Sequence, residues 1–257
     1  MPRDGVKATA VETAPVLAVG LGRGFGGKST SLAELVWRAK SAGRSVIVAD
    51  GDARSKTLAG LFPGEATVPP SEELPDVKLW LTGLLNRMVK ENTSAVLDLG
   101  GGDRVLQEYG RDLRLVDFCA RRGIEPVALY FLGPEAEDLR HVLAIWEAGY
   151  FRPQRTLLVM NEGVIRDGRT VAGAFERTLA DPGLAEMVKA GAKPIVMTRL
   201  ACMDLVRQSG TGFYAAAGGD AGPDGTPLDP VEAFMLEDWL ADLEGKRTKA
   251  GASAWLP

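Results

Sequence analysis

The stretch GRGFGGKST, residues 22–30, fits two motifs at once. Gly22, Gly24 and Gly27 match G-x-G-x-x-G, the fingerprint of dinucleotide-binding folds. Gly22, Gly27, Lys28 and Ser29 match G-x-x-x-x-G-K-[ST], the phosphate-binding P-loop. Both are turns from a strand into a helix, and both hold phosphate on backbone N–H groups. The Lys-Ser pair decides between them. A dinucleotide site needs its third glycine for close helix packing and has no use for a lysine directly after it. A P-loop needs both residues: Lys28 would bridge the β- and γ-phosphates, and the Ser29 hydroxyl would ligate Mg²⁺. The flanks agree. PVLAVG, just before the loop, is a short apolar run that reads as a buried strand. After it, Leu32, Leu35, Val36 and Ala39 recur at helical spacing until Gly43.

Further apolar strands follow. RSVIVAD ends at Asp50, SAVLDLGGG passes through Asp98, and three more begin near Glu125, Arg155 and Lys193. Helical patterns separate them, notably VKLWLTGLLNRMVKEN and residues 136–148 and 170–190. Strands that are apolar throughout and alternate with helices predict an α/β fold: a mostly parallel central sheet with helices on both faces. Residues 1–14 read as a flexible tail and 15–245 as a single domain. Within that domain, TGFYAAAGGDAGPDGTPLDP (211–230) is dense in Gly, Pro and Asp and reads as a mobile loop. Asp229-Pro230 opens a last helix, with Val231, Met235, Trp239 and Leu243 on one face and Phe234 and Leu236 flanking it. Residues 246–257 read as a C-terminal tail.

Composition narrows the function classes. The chain has 257 residues, 46% hydrophobic and 25% charged, enough to bury a large core. A net charge of −4 does not suit a surface that coats nucleic acid all over. Two cysteines (Cys119, Cys202) and one histidine (His141) exclude a disulfide scaffold and argue against a Cys/His zinc site. The start of the chain lacks the apolar core of a signal peptide, and no run approaches the roughly 20 apolar residues that cross a bilayer. The expectation is a cytoplasmic protein with no stable membrane insertion. Arg152, Arg155, Arg166, Arg169 and Arg177 form either a basic face for DNA or an ordinary solvated one.

The wider stretch resembles the deviant Walker A loop of the ParA/MinD family of ATPases, K-G-G-x-G-K-[ST]-[ST]. The resemblance runs from about residue 15 to about residue 210, in the same order. It implies that Gly22, Gly24, Phe25, Gly26, Gly27, Lys28, Ser29 and Thr30 surround the phosphates of ATP or ADP. In VIVADGDAR, it implies that Asp50 positions the attacking water and that Asp52 opens the first switch loop, near the metal. In AVLDLGGGD, Asp98 would hold Mg²⁺ through water, and residues 100–103 would begin the second switch. In LLVMNEG, Asn161 would contact adenine. IVMTRLACMDLVRQ resembles the last strand and the loop whose backbone flanks the base. An aspartate at a strand end can instead cap the next helix, and an asparagine before a glycine can simply make a turn.

Two positions depart from the family pattern. Arg23 stands where the family has a signature lysine that reaches a partner subunit's phosphates; it keeps the charge and adds a planar fork. Phe25 stands where the second glycine belongs, and its ring either blocks the approach of a second subunit or adds an apolar contact to it. The resemblance implies a nucleotide-dependent homodimer that hydrolyses ATP slowly, answers to a protein regulator, and positions cargo such as plasmid DNA or a conjugation component. Two other readings remain open: a nucleotide-dependent binding module with little hydrolysis, and a small-molecule ligase like dethiobiotin synthetase.

Overall fold

Every residue of VLAVGL, which forms β1 (Val16–Leu21), is buried. A strand can be buried along its whole length only with a neighbour on each side and a layer over each face. The computed structural model describes residues 14–24, 26–99, 103–166, 170–223 and 225–257. After β1 come α1 (Lys28–Ser41), β2 (Val46–Asp50), α2 (Thr57–Leu61), α3 (Leu74–Glu91), β3 (Ser94–Asp98), α4 (Asp103–Leu113) and α5 (Leu115–Arg121). Then follow β4 (Glu125–Leu132), α6 (Ala136–Ala148), β5 (Arg155–Asn161), α7 (Glu176–Leu179), α8 (Pro182–Lys189) and β6 (Lys193–Met197). Last come α9 (Met203–Ser209), α10 (Phe213–Ala217) and α11 (Pro230–Lys249). The strands form one sheet in the order β2-β3-β1-β4-β5-β6, and every pairing is parallel.

The pleat sends alternate residues of β1 to opposite faces. Leu17, Val19 and Leu21 join a core with Leu81, Leu85 and Met88 of α3, Leu139 of α6 and Leu184 of α8. Val16 and Ala18 join a second core with Leu32, Leu35 and Val36 of α1, Phe213 of α10, and Leu236 and Leu243 of α11. The carboxyl ends of β1, β2, β3 and β5 all open on one edge of the sheet. That edge is where ligands bind in open parallel sheets.

Three expectations are corrected. The helical pattern at 170–190 is broken: Asp181 caps α8 by accepting from the Gly183 amide at 2.8 Å, and Pro182 has no N–H with which to continue the earlier helix. Residues 211–230 are not one mobile loop, because α10 inserts Phe213 and Ala216 into the core. Nor do residues 246–257 form a tail. α11 runs on to Lys249, a short 3₁₀ turn follows at Ser253–Trp255, and Ala252 and Leu256 are buried. The buried face of α11 is Leu236, Trp239, Leu240, Leu243 and Arg247, while Val231 and Phe234 are exposed. The first thirteen residues of the proposed N-terminal tail, Phe25, Arg169 and residues 100–102 of the second switch lie outside the described residues.

Charge explains why α11 packs to its end. Arg247 and Glu34 of α1 are both buried and form a forked ion pair, with Nη1 donating to Glu34 Oε1 at 2.9 Å; the Tyr214 hydroxyl donates to the same oxygen at 2.9 Å. Nearby, Arg38 forks onto Glu244 at 3.0 and 2.9 Å and donates to the Ser253 hydroxyl at 2.9 Å. The helix that leaves the glycine loop is thus clamped to the last helix. Glu34→Ala would strand a buried guanidinium and should cost about 3–5 kcal/mol, whereas replacing the pair together by Leu and Met should cost far less. Urea denaturation of the two variants checks this, and equal losses would refute it.

Candidate functional site

Two glycines of the loop are demanded by geometry. Gly22 leaves β1 with φ +132°, and a Cβ there would lie 2.6 Å from the Phe131 carbonyl oxygen of β4. Gly27 enters α1 with φ +74°, and its Cβ would lie 2.2 Å from the Asn161 amide nitrogen. A side chain at Gly24 would meet nothing within 4 Å. Its glycine keeps the loop backbone bare rather than preventing a clash.

The first turn of α1 is left open to an anion. Its N-cap is Gly27, no side chain caps it, and no acidic residue lies in its first turn. The first N–H groups of a helix have no intrahelical acceptor, and the helix dipole makes that end positive. Lys28 is buried and folded back over the loop, donating to the carbonyls of Gly22 at 3.0 Å and Arg23 at 2.9 Å. Ser29 donates its hydroxyl to Asp98 at 2.5 Å, joining the helix start to the end of β3. These groups line a cleft of about 530 Å³ with Gly24, Gly26 and Thr30.

The two acids at the end of β2 and just after it point to different places. Asp50 is fully buried, and its two oxygens accept from the backbone amides of Asp52 at 3.0 Å and Ala59 at 2.8 Å. Burial pushes its carboxyl above the usual aspartate range. The two N–H bonds oppose that rise, and the neighbouring Asp98 and Asp52 charges add to it. Asp50 does not line the cleft; Asp52 does, together with Ser55 of the same loop and Thr57, which opens α2. Asp52 itself accepts from the Ser55 amide at 2.9 Å. Ser55 and Thr57 were not singled out in the sequence, where hydroxyl residues just after the D-x-D were the available signal.

Asn161 ends β5 beside the loop. Its amide nitrogen donates to the Gly26 carbonyl at 3.0 Å and its oxygen accepts from the Gly163 amide at 2.8 Å. It lines the cleft and braces the loop. The far wall comes from Met197 at the end of β6 and Thr198 and Arg199 after it, from Met203, Asp204 and Arg207 of α9, and from Trp239 of α11. Trp239, read from sequence only as part of an apolar helix face, donates its indole N–H to the Thr198 carbonyl at 2.8 Å. Its distance along the chain from the other cleft residues hid that role. Arg23 lies outside this cleft; its guanidinium pairs with Asp138 of α6 at 3.3 Å.

The chain shares its fold with chloroplast FtsY from Physcomitrella patens, at 19% identity over 88% of this chain and 65% of that one, with a TM-score of 0.50. The fold is that of the P-loop NTPases. This chain thus spans just under two thirds of the length of that FtsY chain. MinD from Aquifex aeolicus is a further structural neighbour, at 13% identity over 90% and 98% of the two chains and a TM-score of 0.49. So is the MinC:MinD complex of Aquifex aeolicus, at 12% identity, 90% and 96% coverage and a TM-score of 0.48. No family model matches this sequence, and comparison with curated protein sequences gave no match.

The P-loop residues fit a phosphate chain with a hard cation. An uncapped helix start and a lysine face the cleft, and a hydroxyl and a carboxylate 2.5 Å apart supply the oxygen donors that Mg²⁺ prefers. Lys28→Ala removes a charge-assisted contact of about 1.5–3 kcal/mol and should weaken nucleotide binding roughly 10- to 150-fold by calorimetry. Asp50→Ala leaves two amides without acceptors, so the 52–59 segment should exchange its amide hydrogens faster while the central strands keep their protection. Unchanged exchange in that segment would show that Asp50 does not hold the loop.

Proposed function

We propose that this chain is a ParA/MinD-type ATPase that binds Mg-ATP at the P-loop, hydrolyses it slowly, and uses its nucleotide state to control dimerisation. The observation that carries this reading is the uncapped start of α1 flanked by Lys28 and the Ser29–Asp98 pair. This is an arrangement with little use except to hold a phosphate chain and its cation. The first-turn amides and Lys28 hold the β- and γ-phosphates. Ser29 and Asp98 would hold the cation, which supplies charge neutralisation when bound. Asn161 keeps Gly26 and Gly27 in position, and the Met197–Arg199 and α9 wall receives the base.

The water-orienting role passes from Asp50, which the resemblance implied, to Asp52. A carboxylate can orient water only if it reaches the cleft, and both oxygens of Asp50 are already turned onto backbone amides. Asp50 instead fixes the loop that carries Asp52. Positioning and electrostatics supply most of the rate in phosphoryl transfer, so one acid held by another is enough. Adenine as the base, the homodimer, a protein regulator and a cargo such as plasmid DNA or a conjugation component rest on the family resemblance. Among the described residues no helix is long and apolar enough to cross a membrane.

Phosphate release with Mg-ATP tests the reading. Asp52→Ala should lower turnover about 10²- to 10⁴-fold while nucleotide still binds. Wild-type protein that binds ATP but releases no phosphate above background would reduce the function to nucleotide-dependent binding, and full turnover by Asp52→Ala would sink the role given to that residue.

A further inference from the structure

A tryptophan outside the cleft presses on the loop that carries Asp52. Trp80 lies on α3, half-buried against the core beneath that helix. Its indole N–H donates to the Thr67 hydroxyl at 2.9 Å. Thr67 is tied in turn to the edge strand β2: its amide donates to the Val48 carbonyl at 2.9 Å, and its carbonyl accepts from the Asp50 amide at 3.0 Å. The indole thus has a fixed place beside the end of β2. Next to it is Gly51, the residue between Asp50 and Asp52. The Gly51 amide donates to the Asp98 carbonyl at 2.6 Å, joining this turn to the end of β3. A Cβ on Gly51 would lie 3.3 Å from Trp80 Cζ3, 3.2 Å from that carbonyl oxygen and 3.0 Å from Leu99 Cδ2. The Gly51 backbone is therefore clamped between the indole and the end of β3, with too little room for a side chain unless its neighbours give way.

We propose that Trp80 is a positioning residue for hydrolysis: its indole holds Gly51 against the end of β3 and so sets how far Asp52 reaches into the cleft. This rests on the ATPase reading above and on the role given there to Asp52. The Asp52 side chain leaves the backbone one residue after the clamp, so a turn about the Gly51 bonds swings its carboxylate. A misplacement of about 1 Å can cost about 10²-fold in rate. Glycine has the widest backbone freedom of any residue, so Gly51 by itself does not keep one conformation. The indole supplies the restraint, and its ring carries more of it than its N–H, because Cζ3 is the atom that meets Gly51. The phosphate contacts lie on another layer, since α1 packs on the opposite face of the sheet from α3. Lys28 and Ser29 therefore keep their places when the indole is lost, and the change falls on turnover rather than on binding.

The test compares Mg-ATP affinity with phosphate release for variants of the full chain, at a temperature where circular dichroism shows each to be folded. Trp80→Ala should lower kcat about 10- to 100-fold, with the ATP Kd within about 2-fold of wild type. Trp80→Phe keeps a ring and should recover most of the rate. Gly51→Ala pushes on the clamp from inside and removes no core side chain, and it should lower kcat in the same way. A kcat for Trp80→Ala within about 2-fold of wild type, a Kd that rises in step with the loss of kcat, or a Trp80→Phe no faster than Trp80→Ala would overturn the proposal. If the wild type binds ATP and releases no phosphate, the ATPase reading fails separately. The clamp is then read by amide hydrogen exchange of the nucleotide-free protein. Exchange at Gly51 and Asp52 about 10-fold faster in Trp80→Ala and restored in Trp80→Phe, with the rest of α3 unchanged, supports it. Unchanged exchange at Gly51, or a rise all along α3, overturns it.

Discussion

Backbone amides at the start of α1 need an acceptor, and among the described residues no side chain caps them. Gly27 cannot cap them with a side chain, and no acid lies in the first turn. That helix start follows β1, every residue of which is buried, so the sheet fixes where it opens onto the cleft. Much of the site is arranged around this one helix start. Lys28 curls over the loop carbonyls, Ser29 reaches Asp98, and Asn161 braces Gly26, all within the same carboxyl edge of the sheet.

The same helix carries the mechanical link to the rest of the molecule. One end of α1 holds the phosphate loop, and its middle presents Glu34 and Arg38 to α11 and the residues after it. Burying a guanidinium and a carboxylate together is costly unless both are paired, and here each is. The consequence is that α11, which also contributes Trp239 to the far wall of the cleft, cannot shift without disturbing α1. The two ends of the cleft are therefore tied through one buried ion pair.

Acidic residues near the loop divide into two kinds. Asp52 and Asp98 reach the cleft, whereas Asp50 and Asp138 act on other residues, one through backbone amides and one through Arg23. Both of these acids are more enclosed than the residues they touch, Asp50 more than Asp52 and Asp138 more than Arg23.

The amino-acid sequence alone determined the P-loop, the alternation of apolar strands and helices, and helix 136–148, because each is written in local signals: a Gly-Lys-Ser triplet, unbroken apolar runs, a 3.6-residue period. Tertiary structure decided the rest. Which of Asp50 and Asp52 faces the cleft depends on where the 51–57 loop turns after β2, and a D-x-D spacing does not encode that turn. Residues 246–257, basic and broken by glycine, carry no local sign of burial; only the presence of Glu34, more than two hundred residues earlier in the chain, makes the burial of Arg247 favourable. Trp239 meets the Thr198 carbonyl and Asp138 meets Arg23 in the same way, through neighbours distant in sequence. Periodicity reports which face of a helix is apolar, but the partner that a polar side chain meets is set by packing between elements.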